Sequence, residues 1–290
     1  MIISTPAEFS FQLCLDFLKR SPKELLHQLR DDGVTKALRV EDDVIVFTVT
    51  GRPDGLVVTF NPKEPDEKLK KKVAAYVREW FDLDTDLKLF YKMSAKDKLL
   101  KDLIVRYYGY RIVGQPDLFE SLVWAVLGQQ INLGFAYTLK QRFVQAFGER
   151  LALGDQEFFL FPSPATVSVI APEKLMALQF STQKSRYTLA IAEAFVEGTL
   201  SREKLEGLSL EEAKLQLMKI KGIGNWTANY ALMKTFHHPT AFPLEDAGLH
   251  NAIKNLKRLE SKPDLAEVQK IFKKYKGWEA YATLYLWKSL

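Results

Sequence analysis

The chain has 290 residues and 47% of them are hydrophobic, which is enough apolar material for one large or two smaller folded cores. Its single cysteine, Cys14, excludes an intrachain disulfide framework, a zinc site built on several thiolates and an iron–sulfur cluster held by four cysteines. The formal net charge of +5 favours polyanionic partners only slightly, because many proteins with other partners are equally basic.

The sequence shows no sign of a membrane segment or an export signal. Its apolar runs are shorter than the roughly 18 residues that a membrane-spanning helix needs. The first residues, MIISTPAEFSF, lack the basic start and the long apolar stretch of a secretory signal. We therefore expect a cytoplasmic protein without membrane contact.

The first part of the chain mixes strand and helix patterns. Alternating apolar positions from Phe9 to Leu15 predict a half-buried strand, and SPKELLHQL, with Ser21 as N-cap, predicts a helix. The runs VTKALRV, DVIVFTVTG and GLVVTFNP are rich in β-branched residues and are separated by the turn signals EDD and GRPDG. These patterns predict an antiparallel sheet with helices.

A lysine-rich helix is predicted after the sheet. The segment KEPDEKLKKKVAAYVREWFDL places Val73, Val77 and Trp80 on an inner face and its charges on the outer one. The run from Lys68 to Lys72 is then either a solvated helix face or a contact for a polyanion, and we favour the solvated face.

Beyond this helix, apolar residues recur with helical spacing and we find no strand-like alternation. Helix starts are marked at Ser163-Pro164, at Ala171-Pro172 and by a capping box from Ser209 to Glu212. The sequence therefore predicts an α+β N-terminal domain, an antiparallel sheet with helices, over residues 1–108. An all-α bundle of roughly eight to ten short helices is predicted over residues 109–290.

The segment LMKIKGIGNWTANYALM interrupts the helical pattern with two glycines. One helix runs through Met218, Lys221-Gly222 stops it, and a new helix begins near Asn225, which gives a helix-hairpin-helix over about residues 212–234. Without Cβ atoms, the hairpin would let a phosphate approach free N–H groups at the positive end of the second helix. A tight turn between two packed helices explains the same glycines, and the residues alone leave both interpretations open.

An acidic pair follows the hairpin in TAFPLEDAGLH, where Glu245 and Asp246 precede another predicted helix. A carboxylate at a helix N-terminus is kept ionised, and this form can stabilise a positive charge or draw a proton from water. Taken alone, however, the position also suits an ordinary N-cap.

Together these segments resemble the helix-hairpin-helix superfamily of DNA glycosylases, most closely its bacterial 3-methyladenine DNA glycosylase II branch. The resemblance spans nearly the whole chain, because the α+β domain is followed in order by QPDLFESLVWAVLGQQINLGFA, KGIGNWTANYALM, FPLEDAGL and WEAYATLYLW. The hairpin with an acid downstream of it is the specific part, since two glycines alone are a weak signal.

The resemblance implies a catalytic role for Asp246 and at most a supporting one for Glu245. The reaction it implies is hydrolysis of the N-glycosidic bond of an alkylated purine, of the 3-methyladenine or 7-methylguanine type, after the nucleotide is flipped out of duplex DNA. Trp226 stands where strand-cleaving members carry a lysine nucleophile, which implies a monofunctional enzyme without lyase activity.

The resemblance also implies the binding residues. Trp226, Tyr230 and Trp287 match aromatic positions of the base pocket. Three further aromatic residues are interpreted as core: Trp124, Trp278 and Tyr281. Gln130 stands where the best-known member type has an apolar wedge, so the identity of the side chain that fills the gap in the DNA is open. The residues expected to contact DNA are Gln129, Gln130, Ile131, Gly222, Ile223, Gly224 and Thr227.

The expected partner is double-stranded DNA with damaged bases, bound by a monomer. No cofactor is expected to be required, although the resemblance suggests a monovalent cation at the hairpin. With four histidines and one cysteine in the chain, a metal site built from side chains is not expected. Two alternatives stay open: a glycosylase for oxidised or deaminated purines, and a DNA-binding module without catalytic activity.

Overall fold

The N-terminal part forms a five-stranded antiparallel sheet in the computed structural model, which describes residues 1–30 and 32–290. The strand order is β1-β5-β4-β3-β2, and every neighbouring pair is antiparallel. The strands are β1 (Ile2–Ile3), β2 (Gln28–Arg30), β3 (Gly33–Val40), β4 (Asp43–Arg52) and β5 (Gly55–Asn61). The three long strands are the runs that the sequence predicted, so the predicted antiparallel sheet is confirmed.

Two helices cover one face of this sheet, α1 (Phe11–Leu18) and α2 (Glu67–Trp80). On α2, Val73, Val77 and Trp80 are buried against the sheet, as predicted. The lysines of α2 lie on its outer face, where Lys68 and Lys70 form ion pairs with glutamates at 3.0 Å and 2.6 Å. The lysine run is thus a solvated face that is largely neutralised by acids.

Two local predictions for the N-terminal part are wrong. The residues from Phe9 to Leu15 do not form a strand, because Ser10 caps α1 and the chain coils from Phe11 onward. The helix predicted at Ser21 is also absent, since the Glu24 carboxylate accepts hydrogen bonds from the next two backbone N–H groups, both at 2.9 Å, and closes a turn instead. Apolar residues occur at consecutive positions of α1, so its sequence fits both the alternation of a strand and the spacing of a helix.

The rest of the chain is mainly helical and shares one large core. The helix starts at Ser163 and Ala171 and the reciprocal capping box of Ser209 with Glu212 are confirmed. The helices are α3 (Lys88–Ser94), α4 (Lys101–Arg106), α5 (Leu118–Gly128), α6 (Leu133–Phe147), α7 (Pro164–Ser168), α8 (Pro172–Ala177), α9 (Thr182–Val196), α10 (Arg202–Leu205), α11 (Leu210–Met218), α12 (Asn225–Phe236), α13 (Ala247–Lys257), α14 (Leu265–Phe272) and α15 (Glu279–Trp287), with a 3₁₀ turn at Lys273–Tyr275.

The predicted all-α character of this part is wrong in one place. A β-hairpin of β6 (Glu149–Leu153) and β7 (Gln156–Leu160) interrupts the helices, and Gly154, with φ of +60°, makes its turn. Phe158 of β7 is buried against the N-terminal sheet. The hairpin thereby fastens the bundle to the sheet. Eleven α-helices, α5 to α15, lie within the fully described residues 109–290, slightly more than expected.

A buried ion cluster joins the two parts of the chain. The ammonium of Lys140 on α6 lies 3.0 Å from the carboxylates of both Glu24 and Glu120. Burial on its own would raise the pKa of Glu24, but the charge of Lys140 and a backbone N–H bond outweigh burial and lower this pKa to about 2. Of the helices in the described residues, none is both long and apolar enough to cross a bilayer.

Candidate active site

An open cleft of about 1610 Å³ brings together residues from five distant segments. Its walls come from the N-terminal part at α1, the α5–α6 loop, the α11–α12 hairpin, the loop before α13, and α15. All the residues that the sequence assigned to catalysis, substrate binding and DNA binding line this cleft. They are Gln129, Gln130, Ile131, Gly222, Ile223, Gly224, Trp226, Thr227, Tyr230, Asp246 and Trp287.

The two glycines of the hairpin have different structural requirements. Gly222 has a φ of +96°, and a Cβ atom at this position would lie 2.1 Å from Cγ of Tyr187, so the fold itself requires glycine here. Gly224 adopts an ordinary φ of −91°, and a Cβ atom there would have no atom within 4 Å. The fold therefore gives no reason for glycine at position 224.

The α5–α6 loop is fastened to the hairpin by Gln129. Its Nε2 donates to Gly222 O at 3.1 Å and to Thr227 Oγ1 at 2.9 Å, so the amide nitrogen of Gln129 and the hydroxyl of Thr227 are engaged within the protein. Gln130, by contrast, is exposed at the tip of the loop with a φ of +56°, and Ile131 beside it is half-buried.

The carboxylate of Asp246 is the N-cap of α13 and is surrounded by N–H donors. Its Oδ1 accepts from Leu249 N and from Trp287 Nε1, both at 2.7 Å, and its Oδ2 accepts from Trp226 Nε1 at 3.1 Å. None of the ion pairs in residues 1–30 and 32–290 includes Asp246. The anion is held by neutral dipoles, so its charge is not cancelled by a protein cation.

The loop that carries the acid is tied to the helices on both sides of it. Asn225, the first residue of α12, donates to Glu245 Oε1 at 2.8 Å. The buried Asn229 accepts from Phe242 N at 2.9 Å, and His250 Nε2 donates to Leu244 O at 2.8 Å. Glu245 itself is exposed and paired with the hairpin helix, whereas Asp246 faces the cleft.

Aromatic rings form the floor of the cleft. Trp226 stacks on Tyr230 at 5.3 Å between centroids, and Tyr230 lies 6.4 Å from Trp287. Trp124, which the sequence analysis interpreted as core, is 95% buried but belongs to this wall, because its Nε1 donates to Tyr230 Oη at 3.0 Å. Tyr281 is a core residue, and Trp278 packs beside it at 6.2 Å, as expected.

The N-terminal part contributes a residue that sequence reasoning missed. Arg20 lies in the cleft, where its guanidinium is 4.0 Å from the Phe17 ring centroid and 5.4 Å from that of Tyr137. Its Nε also donates to the Tyr137 hydroxyl. A single arginine after an apolar helix looks like an ordinary helix-terminal cation, and the sequence carries no further signal for this position.

One buried amine also lines the cleft. Lys234 on α12 donates to Val113 O, and its ammonium lies 4.7 Å from the Phe17 ring centroid. Burial lowers the pKa of Lys234 well below its usual value.

Two family models match most of the chain. Residues 123–277 match the model described as HhH-GPD superfamily base excision DNA repair protein, and residues 18–122 match the one described as 8-oxoguanine DNA glycosylase, N-terminal domain. A Bacillus subtilis protein named DNA-3-methyladenine glycosylase is 39% identical over 100% of this chain and 97% of its own length.

Solved structures share the architecture. The 3-methyladenine DNA-glycosylase of Archaeoglobus fulgidus superimposes with a TM-score of 0.85 at 22% identity over 99% of this chain and 97% of that one, which is similarity of fold alone. The Schizosaccharomyces pombe 3-methyladenine DNA glycosylase, solved in complex with abasic DNA, gives a TM-score of 0.59 at 29% identity over 68% of this chain and 93% of that one.

Proposed function

The chain belongs to the HhH-GPD superfamily of base excision DNA repair proteins, and on this premise we propose that it is a monofunctional DNA glycosylase. Its proposed substrate is duplex DNA that contains an alkylated purine of the 3-methyladenine or 7-methylguanine type. The observation that carries the proposal is the carboxylate of Asp246, which lies in an aromatic-walled cleft beside the hairpin and has no cationic partner.

Gly224 supports a phosphate contact at the hairpin. Its backbone conformation and the open space around it would accept a larger residue, so the fold does not account for glycine there. Close approach of a phosphate to the N–H groups at the start of α12 does account for it. The hairpin would hold the sugar-phosphate backbone without reading its sequence.

The proposed reaction begins with a nucleotide flipped out of the duplex into the cleft. A cationic alkylated purine is attracted by the π faces of Trp226, Tyr230 and Trp287. The bond between C1′ and the purine nitrogen breaks, and its electron pair neutralises the departing base. The Asp246 carboxylate stabilises the positive sugar that remains.

Water completes the hydrolysis. Its oxygen forms the new bond to C1′, and the proton that it loses is accepted by the carboxylate of Asp246 before it passes to solvent. Because this scheme needs only the carboxylate and water, it requires no cofactor. A monovalent cation held by main-chain carbonyl groups of the hairpin would assist phosphate binding and takes no part in this scheme.

Gln130 is the residue that we propose to fill the space left by the flipped nucleotide. It is exposed at the tip of the α5–α6 loop, and its amide can hydrogen-bond the partner base that has lost its pair. The amide nitrogen of Gln129 donates to the hydroxyl of Thr227 and to the hairpin, so we assign these two residues to bracing the loop against the hairpin. Ile131 flanks the tip.

Absence of lyase activity is part of the proposal. Trp226 occupies the position from which a lysine nucleophile would act, and the amine of Lys234 is committed to Val113 O. Borohydride should therefore trap no covalent complex with abasic duplex DNA. If a complex does form, Lys234→Met tests whether this buried amine is the nucleophile, because its lowered pKa would favour that role.

Arg20 supports a second candidate function, removal of an oxidised or deaminated purine. A guanidinium in the cleft suits a neutral base that presents a carbonyl oxygen, and it repels a base that is itself cationic. A DNA-binding module without catalytic activity is the remaining alternative.

The decisive experiment measures base release from duplexes with a single 7-methylguanine, hypoxanthine or 8-oxoguanine, and from methylated DNA for 3-methyladenine. We expect release of the methylated purines, and loss of roughly a hundredfold or more in rate for Asp246→Asn with binding of abasic duplex retained. Release of 8-oxoguanine without methylated purines would favour the second function. Binding without any release by the wild type would favour the non-catalytic module.

A further inference from the structure

The end of helix α5 is capped by a buried lysine from a different helix. Lys184, in the first turn of α9, is only 7% exposed. Its Nζ donates to Val126 O at 2.8 Å, to Leu127 O at 2.9 Å and to Gln129 O at 2.8 Å. An ammonium group has three N–H donors, and all three are used here, two on carbonyl groups in the last turn of α5 and one on the C-cap residue Gln129.

This lysine occupies an unfavourable place in its own helix. The N-terminal turn is the positive end of the α9 dipole, where acids are preferred, and burial lowers the pKa of Lys184 to about 8. The carbonyl groups at the negative end of α5 stabilise the Lys184 ammonium and so offset its unfavourable position in α9. The stability of α9 therefore does not explain Lys184, but the conformation of the α5–α6 loop does.

The loop that follows this cap carries Gln130 in a left-handed conformation, which costs about 1 kcal/mol for a residue other than glycine. The main chain before it is held by Lys184, and the side chain of Gln129 ties the same turn to the hairpin. One helical turn beyond Lys184, the ring of Tyr187 packs on Gly222. Helix α9 thus contacts both the loop and the hairpin and fixes their relative position.

We propose that Lys184 is a positioning residue for base extrusion. Its ammonium fixes the α5–α6 loop so that Gln130 projects toward the duplex at the place where the hairpin holds the backbone. The inference rests on the proposed function, because it requires a nucleotide that leaves the duplex and a side chain that fills the gap. Lys184 touches no reacting atom in this scheme.

The test compares two substrates that differ in the cost of extrusion. In one duplex 7-methylguanine is opposite cytosine, and in the other it is opposite an abasic site, where no base pair has to be broken. Lys184→Met keeps the aliphatic chain and removes the ammonium. We expect its single-turnover rate to fall roughly tenfold on the paired substrate and to stay within about threefold of wild type on the unpaired one.

Lys36→Met is the matched control. Lys36 is also a buried lysine, but its ammonium donates to a single carbonyl, Leu26 O at 3.1 Å, in the N-terminal part. Its substitution should change both rates by the same factor, whatever its effect on stability. Lys184→Arg, which keeps the charge and the donors, should recover part of the rate on the paired substrate.

Two results would overturn the inference. One is a wild-type rate for Lys184→Met on the paired substrate, and the other is an equal loss on both substrates in samples matched for folded fraction. Failure of the proposed function looks different, because the wild-type protein itself would then release no base from either duplex.

Discussion

The cleft has two sides that are assembled in different ways. The acid side consists of the hairpin and the loop of Asp246, and two of its bonds, Trp226 to Asp246 and Asn225 to Glu245, join residues only 20 positions apart. A third bond reaches Asp246 from Trp287, 41 positions away. The arginine side consists of Arg20 and the rings around it, and its bond to Tyr137 spans 117 positions. The proposed chemistry therefore depends mainly on segments that are close in sequence, whereas the wall around Arg20 depends on how the N-terminal part packs on the bundle.

The largest expected effect is on the acid side. Gly222→Ala should lower the unfolding free energy by roughly 3 kcal/mol, because the new Cβ atom collides with the Tyr187 ring and the φ of +96° is strained for alanine. Urea unfolding followed by circular dichroism measures this. Gly224→Ala is the matched variant, and its unfolding free energy should stay within about 0.5 kcal/mol of wild type.

Gly224→Ala, which should leave stability unchanged, is expected to affect DNA binding. Gly224→Ala should weaken binding to abasic duplex and reduce its dependence on salt, because the Cβ atom enters the space proposed for a phosphate. Unchanged affinity for Gly224→Ala would contradict the phosphate contact.

Acid should destabilise the buried ion cluster that joins the N-terminal part to the bundle. The pKa of Glu24 is about 2 in the fold against an ordinary value of 4.5, so its contribution of about 3 kcal/mol is complete above pH 4.5 and is lost as pH falls toward 2. Burial lowers the pKa of His27 to about 4 from 6.5, so protonation of the unfolded chain costs stability between these values as well.

The contributions of Glu24 and His27 to the unfolding free energy can be distinguished by urea unfolding at a series of pH values. Glu24→Gln should flatten the loss of stability below pH 4.5, and His27→Gln should flatten the loss between pH 6.5 and 4. Stability profiles of both variants parallel to that of wild type would show that Glu24 and His27 do not control the acid stability.

A smaller effect on the rate of base release is expected when the indole groups that donate to Asp246 are replaced. Trp287→Phe keeps an aromatic ring and removes the 2.7 Å bond to Asp246, so base release should slow by roughly tenfold to a hundredfold while binding of abasic duplex is retained. Trp226→Phe removes a longer bond of 3.1 Å, and its effect should be smaller. The reverse order would mean that stacking on the base outweighs orientation of the carboxylate.

The smallest expected effect concerns discrimination by the arginine side. Arg20→Gln removes a positive charge from the cleft, so the rate on cationic 7-methylguanine should rise severalfold relative to the rate on neutral hypoxanthine. The ratio of single-turnover rates measures this. An unchanged ratio would place Arg20 outside the base contacts.

The two sides also differ in how far the sequence could predict them. The family resemblance is confirmed by matches over nearly the whole chain. The residues assigned to the hairpin and to the loop of Asp246 all line one cleft, and they were predictable because they lie within residues 222–246. Arg20 and the lining role of Trp124 were missed. Their positions depend on packing between residues more than 100 apart, as in the bonds from Arg20 to Tyr137 and from Trp124 to Tyr230.

The secondary structure also contains parts that the sequence predicts and parts that it does not. The long strands and α2 follow from their periodicity, and the helix starts from capping residues. The hairpin of β6 and β7 departs from the predicted all-α bundle although Gly154-Asp155 is a turn signal, because its two short strands lie between long segments with helical spacing. At Ser21 a plausible helix start gives way to a turn, since Glu24 is drawn into the buried pair with Lys140.

The arrangement of indoles has a practical consequence. Of the five tryptophans in the chain, Trp124, Trp226 and Trp287 line the cleft, and two of them donate their N–H groups to Asp246. A base that stacks on these rings changes both the polarity of their surroundings and the hydrogen bonds of their N–H groups. The intrinsic fluorescence of the unlabelled protein should therefore report occupancy of the cleft in real time, with Trp80 and Trp278 as a constant background.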